Sequence, residues 1–110
     1  MNKFRIFNEA IHLSRYIKKN HCLPACYVSK QTARAGRKKG SLKSFQTGKM
    51  IGGDTYYNRN GLLPPGKKYR ECDLGTYGKT SRGSYRLVFA NDTDFYVTFD
   101  HYVSFTKLVV

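Results

Sequence analysis

Ile6, Ala10, Leu13 and Ile17 recur at steps of four, three and four, which gathers four apolar side chains on one face of a helix while Arg5, Arg15, Lys18 and Lys19 point elsewhere. The pattern predicts an amphipathic first helix within residues 1–20. Packing on a core is the commoner use of such a stripe, and the basic face keeps a membrane-surface or calmodulin-target helix as the alternative. Leu23-Pro24 breaks the period. Ser29 is placed to cap a short helix ending near Gly36, with Lys30 in its first turn, and Ser41 to cap a brief helical turn through Phe45. From residue 50 the chain changes to short runs of Tyr, Phe and Val between turn residues, predicting strands near 50–55, 70–74, 85–90, 95–99 and 104–109. Helices first and strands later predict an α+β fold, with N-terminal helices packed on one face of a C-terminal antiparallel β-sheet.

With 110 residues the chain has room for one core, so residues 1–110 are expected to form a single domain. Twenty Lys and Arg against seven Asp and Glu give a formal charge of +13, a surface that attracts polyanions. Nucleic acid is the first such partner to consider, ahead of an anionic membrane or an acidic protein. The basic stretch 34–43 reads as an electrostatic loop and lacks the glycine spacing and Gly-Lys-Ser/Thr ending of a P-loop. Three cysteines, Cys22, Cys26 and Cys72, cannot all pair, although a bend at Pro24 would bring Cys22 and Cys26 within bridging reach; structural or free thiols are the default. A zinc site would need a further ligand such as His12 or His21 at a recognisable spacing, which is lacking, so neither metal nor other cofactor is expected. No run of about eighteen apolar residues predicts a membrane span. The first twenty residues lack the apolar core of a secretory signal.

The chemistry concentrates late in the chain. If Ala90 pairs with Phe95 in the hairpin over 85–99, Arg86 stands opposite Phe99, and His101, two residues on, projects from the same side of the sheet as Arg86. Arg82, in a glycine-flanked loop, is within reach of the same place. Of two glutamates, Glu9 belongs to the first helix, whereas Glu71 stands in a strand between Arg70 and Cys72, where surrounding positive charge would hold it ionised as a proton acceptor. A base, an acid and cations are what RNA cleavage requires. The same basic, tyrosine-rich surface would also serve a non-catalytic RNA- or DNA-binding module, or an interaction protein with an acidic partner.

Ile51-Gly52-Gly53-Asp54, then Asn58-Arg59-Asn60-Gly61 with Leu63-Pro64, then Arg70-Glu71-Cys72-Asp73 and Asp100-His101-Tyr102 with Phe105-Thr106-Lys107 form an ordered set. In these, and in Leu23-Pro24, Tyr27-Val28-Ser29-Lys30 and Gly48-Lys49, the chain resembles the barnase and binase family of bacterial guanyl-specific ribonucleases over roughly four-fifths of its length. The resemblance implies a metal-independent endoribonuclease in which Glu71 removes the 2′-hydroxyl proton and His101 protonates the departing 5′-oxygen. A 2′,3′-cyclic phosphate results, and the pair then exchange roles to hydrolyse it. Lys30, Arg82 and Arg86 match the family's phosphate-binding cations, and Tyr102 its aromatic beside the histidine. Asp54 and Asp73 match residues that orient the site, and Asp73 reads equally as a buried hydrogen-bond acceptor.

Asp54, Tyr57, Asn58, Arg59, Asn60 and Tyr102 are the positions the resemblance assigns to substrate binding. The family's base-reading glutamate is Asn60 here, which keeps one acceptor and loses the charge, so guanine preference is expected to be weakened or broadened among purines. Tyr57 stands where a small serine is usual, the loop over 61–70 is about two residues shorter, and tryptophan is lacking. The resemblance further implies an acidic inhibitor of the barstar type or an immunity protein, a partnership that serves as a standard example of charge complementarity. The enzyme is expected to act as a monomer, with no membrane partner, either secreted or delivered into a target cell as a toxin domain.

Overall fold

The computed structural model describes residues 3–35, 50–76 and 82–110. Helix α1, Lys3–Asn20, carries the predicted stripe, and Ile6, Ala10, Leu13 and Ile17 are all buried. It stops where His21 takes a left-handed backbone (φ 59°) and donates its amide to the Ile17 carbonyl at 2.8 Å, satisfying an otherwise orphaned helix-end acceptor. A short strand β1, Tyr27–Val28, precedes α2, Lys30–Ala35. Ser29 caps α2 as predicted, its Oγ accepting from the Thr32 amide at 3.2 Å. The predicted helical turn after Ser41, most of the basic stretch and Gly48-Lys49 lie outside the described residues.

Strands β2 (Met50–Tyr56), β3 (Tyr69–Asp73), β4 (Arg86–Ala90), β5 (Asp94–Thr98) and β6 (Thr106–Lys107) follow, and the six strands lie in one sheet in sequence order. Every pairing is antiparallel except β1 with β2, which is parallel. The sequence reading missed β1: two residues are too few to show alternation, and their neighbour, β2, lies more than twenty positions away. Strand β6 is shorter than expected, limited to Thr106–Lys107.

The sheet has two unlike faces. On one, α1 covers Cys72, Leu74, Leu87, Phe89, Phe95, Val97 and Leu108, forming the main core. On the other, Leu63, Tyr69, Val88, Ala90 and Tyr96 make a smaller apolar patch flanked by Tyr56, Tyr102 and Phe105. Residues alternate between the two along β3, β4 and β5.

The β4–β5 hairpin corrects the predicted register. Ala90 pairs with Asp94 and Arg86 with Thr98, one residue away from the expected pairing. The chain reverses over Asn91–Asp92–Thr93 because Asn91 accepts a left-handed backbone (φ 56°), and Asp94, expected in the turn, begins β5. A slip of one residue exchanges faces. Phe99 therefore packs with Tyr85 in the α1 core, 5.9 Å between ring centroids, and not beside Arg86.

Candidate active site

The face turned away from α1 gathers the predicted chemistry. On β3, Cys72 turns toward α1 while Glu71 and Asp73 turn away from it, all three buried. Across the sheet Glu71 pairs with Asp54 of β2 and Val88 of β4, and Asp73 pairs with Arg86. Asp54 reaches this face through a β-bulge: Gly52 pairs with Cys72, but Asp54, two positions on, pairs with the very next residue of β3, Glu71. The extra residue is Gly53, at φ 94°, a backbone that an L side chain rarely adopts. Were Gly53 instead paired in ordinary register, Asp54 would share the face of Gly52, toward α1. Asp54 then accepts the Lys30 amide at 2.9 Å, so the first turn of α2 is fixed against the strand that borders Glu71.

Asp73, almost fully buried, holds two arginines. Arg82 makes a two-pronged contact, Nε to Oδ2 at 2.9 Å and Nη2 to Oδ1 at 2.7 Å. Arg86, 3% exposed, brings Nε to within 3.1 Å of Oδ1, and its Nη1 donates to the carbonyls of Arg82 and Tyr85 at 3.2 and 2.9 Å. The Nε approach is an ion pair without hydrogen-bond geometry, so among the described residues this buried N–H has only the charge of Asp73 opposite it. One carboxylate thus fixes two cations and leaves the cluster with net positive charge.

His101 arrives by a route different from the one the sequence suggested. Strand β5 ends at Thr98, and both His101 (φ 55°) and Tyr102 (φ 73°) adopt left-handed backbones in the turn that follows. Asp100 holds that turn: its Oδ1 accepts from the Thr98 hydroxyl at 2.8 Å and the Ser104 amide at 2.9 Å, and its Oδ2 from the Ser104 hydroxyl at 2.5 Å. Thr98 Oγ1 in turn accepts the Tyr102 amide at 3.0 Å, and the His101 amide donates to the Ser84 carbonyl at 3.1 Å. Hydrogen bonds from Ser104, side chain first and then backbone, with one from Thr98, lower the Asp100 pKa to about 2. Thr98, Asp100 and Ser104 were missed as site residues. Their signal, an Asp flanked at two and four positions by hydroxyls, is common in ordinary turns.

Tyr102 joins the two proposed catalytic groups. Its hydroxyl donates a very short hydrogen bond to Glu71 Oε1, and its ring meets the His101 imidazole edge-on at 4.7 Å. Burial pushes its phenol well above the ordinary pKa, the Glu71 bond and charge push it further, and Arg86 pulls partly back. Tyr102 also stacks on Tyr56, 5.0 Å between centroids and 19° between planes.

The loop after β2 is stiff at its base and open at its tip. Asn58, at φ 53°, grips Leu63 twice, Nδ2 to the carbonyl at 2.9 Å and Oδ1 from the amide at 3.1 Å. Tyr57 is 70% exposed, with the Arg59 guanidinium over its ring at 5.3 Å. Asn60 turns back to the protein, donating from Nδ2 to the Tyr102 carbonyl at 2.9 Å.

Of the predicted residues, Glu71 and His101 both meet Tyr102, Arg82 and Arg86 share Asp73, Asp54 pairs with Glu71 and accepts the Lys30 amide, and Asn60 reaches the Tyr102 carbonyl from the loop. Tyr57 and Arg59 stand at its exposed rim. Glu9, the other glutamate, is used elsewhere, accepting the Gly75 amide at 2.8 Å. A separate cleft of about 420 Å³, lined by Ile17, His21, Leu23, Arg70, Phe89 and Asp92, opens beside α1 and the core, away from this chemistry. Among the described residues, no three His, Cys, Asp or Glu side chains gather as a metal site, and no helix is long and apolar enough to cross a membrane.

The ribonuclease family model matches residues 12–109. Ribonucleases from Bacillus intermedius and Bacillus pumilus are each 36% identical over 108 residues, covering 94% of this chain, which spans 66% of their length. A ribonuclease from Heyndrickxia coagulans is 35% identical, with 94% of this chain and 98% of the relative covered. On that extent of match, together with the α+β fold and the motifs it carries, the chain belongs to the ribonuclease family.

Proposed function

We propose that the chain is a single endoribonuclease domain that cleaves single-stranded RNA without a metal ion, by transfer of the phosphoryl group to the neighbouring 2′-oxygen. Glu71 takes the 2′-hydroxyl proton, the 2′-oxygen attacks phosphorus, and His101 gives a proton to the departing 5′-oxygen. The 2′,3′-cyclic phosphate that results is opened by water with the two roles reversed. Arg86, Arg82 and Lys30 supply fixed positive charge where the phosphorane-like transition state gathers negative charge.

The observation that carries this reading is Tyr102, whose hydroxyl meets Glu71 and whose ring meets His101, close to the two arginines that the buried Asp73 holds. A carboxylate, an imidazole and guanidinium cations around one side chain are the groups that phosphoryl transfer to a 2′-oxygen uses. Base preference falls on purines through the main-chain amides of the Asn58–Arg59 turn, with Tyr56 and Tyr102 offering aromatic faces. The domain acts as a monomer, outside the cell that makes it or inside one it is delivered to as a toxin. An acidic inhibitor fits the +13 charge.

The test uses short RNAs of each base context incubated in chelator. Products ending in cyclic phosphate after purines support the reading, and intact RNA overturns it. Glu71→Ala and His101→Ala are each expected to lower kcat by about 10²–10⁴-fold while RNA binding and thermal unfolding change little. A basic binding module would show binding alone, insensitive to both substitutions.

A further inference from the structure

Asn60 lies in the loop proposed to read the base, yet its side chain is engaged within the protein. Nδ2 donates to the Tyr102 carbonyl at 2.9 Å, across 42 positions of sequence. Oδ1 receives longer contacts, from the Leu62 amide at 3.4 Å and the Tyr56 hydroxyl at 3.5 Å. Chemistry fixes which end of the amide is which. Reversed, Oδ1 would face a carbonyl oxygen and the NH2 would face a backbone N–H, and both contacts would be repulsive.

We propose that Asn60 is a positioning residue, clasping the base-reading loop to the turn that carries His101 and Tyr102, and that its side chain is thereby withdrawn from base recognition. The inference rests on the ribonuclease reading above. Tyr102 is the point where a clasp has most leverage, because its hydroxyl meets Glu71 and its ring meets both His101 and Tyr56. Two of the bonds holding the turn come from within it, from Asp100 and Thr98, and among the described residues the Asn60 hydrogen bond ties it to the recognition loop. A carboxylate at position 60 cannot make this bond, since it only accepts and would set negative charge against the Tyr102 carbonyl. Asparagine supplies the donor, and discrimination between guanine and adenine is left to the loop's main-chain groups.

Asn60→Asp, nearly identical in shape, separates the clasp from base reading. It is expected to lower kcat roughly tenfold for guanine- and adenine-containing dinucleotides alike, with KM and the ratio of the two substrates within about twofold of the parent. Amide hydrogen exchange over 101–104 should quicken in the same variant, while thermal unfolding moves little because the residue is exposed. Asn60→Ser, uncharged and too short to span the gap, should behave likewise and so excludes a purely electrostatic effect of the new carboxylate. A changed guanine-to-adenine ratio at unchanged kcat, or unaltered exchange over 101–104, overturns the proposal. Were the parent protein inactive on every RNA, the ribonuclease reading would fail, and the exchange measurement would still decide whether the clasp exists.

Discussion

Tyr102 has a ring and a hydroxyl with separable duties. Tyr102→Phe keeps the stack on Tyr56 and the edge contact with His101 but removes the donor at Glu71. Loss of a hydrogen bond to a buried carboxylate should lower kcat/KM by about tenfold or more. The phenol's raised pKa gives a second readout. Its O–H persists through pH 10, where an ordinary tyrosine is half ionised, so it remains a donor across the alkaline range. Its contribution to stability is whole below that point and is lost as pH climbs through the raised value. Thermal unfolding of the parent should therefore fall more steeply above pH 10 than that of Tyr102→Phe, and parallel curves would contradict the assignment. Arg86 could be named from sequence as a cation near the site. Its sharing of Asp73 with Arg82 could not, because that depends on the pairing of β3 with β4 and on where the loop before β4 returns.

At the level of elements, the turn over 98–104 is held by the polar contacts of Asp100 and Thr98 as well as by the stacking of Tyr102 on Tyr56. Asp100→Ala, which removes all three bonds to that carboxylate, should lower kcat roughly tenfold while thermal unfolding of the α1 core shifts little. Acid tests the same contact: the depressed pKa means that Asp100 contributes to stability above the ordinary carboxylate range and loses that contribution only as pH falls through about 2. The turn should thus keep its form in mild acid, as amide exchange over 98–104 would register. Gly52 makes the opposite case, a site limited by packing. A Cβ there would lie 2.5 Å from the Tyr27 ring and 3.2 Å from Cys72 Cβ, so Gly52→Ala should cost about 1–3 kcal/mol in unfolding measurements. The helix stripe and the strand positions were legible in the sequence because burial writes its period into the chain. The β4–β5 register was not, because it turned on Asn91 accepting a left-handed backbone. His101 was expected beside Arg86 by strand alternation that the true register reverses, and it instead comes to Tyr102 through the two left-handed residues of the turn.

Over the whole molecule, the proposed ribonuclease reading predicts that a net charge of +13 governs encounter with RNA more than it governs the chemical step. If three phosphates are neutralised on binding, kcat/KM should fall about a hundredfold for each tenfold rise in salt, with kcat at saturating RNA nearly constant. A flat kcat/KM would indicate that the surface charge serves some other partner. Packing and the proposed chemistry are also divided between the two sides of the sheet: α1 covers one, and Glu71, Asp73, Arg86 and Tyr102 occupy the other. Leu13→Ala should accordingly cost about 2–5 kcal/mol in unfolding while leaving kcat near its parent value well below the melting temperature.

That division depends on an odd residue. Along β2 the count from Met50 runs regularly until Gly53, after which every position changes sides, bringing Asp54 and Tyr56 to stand with Glu71 and Tyr69. Were Gly53 replaced by a residue that cannot take its backbone, so that position 53 paired in ordinary register, the composition of the strand would be almost unaltered, yet its acid and its aromatic would turn into the packed interior while Thr55 and Tyr57 rotated outward in their place. A nuclease could be silenced in this way with every one of its reactive groups still present in the chain.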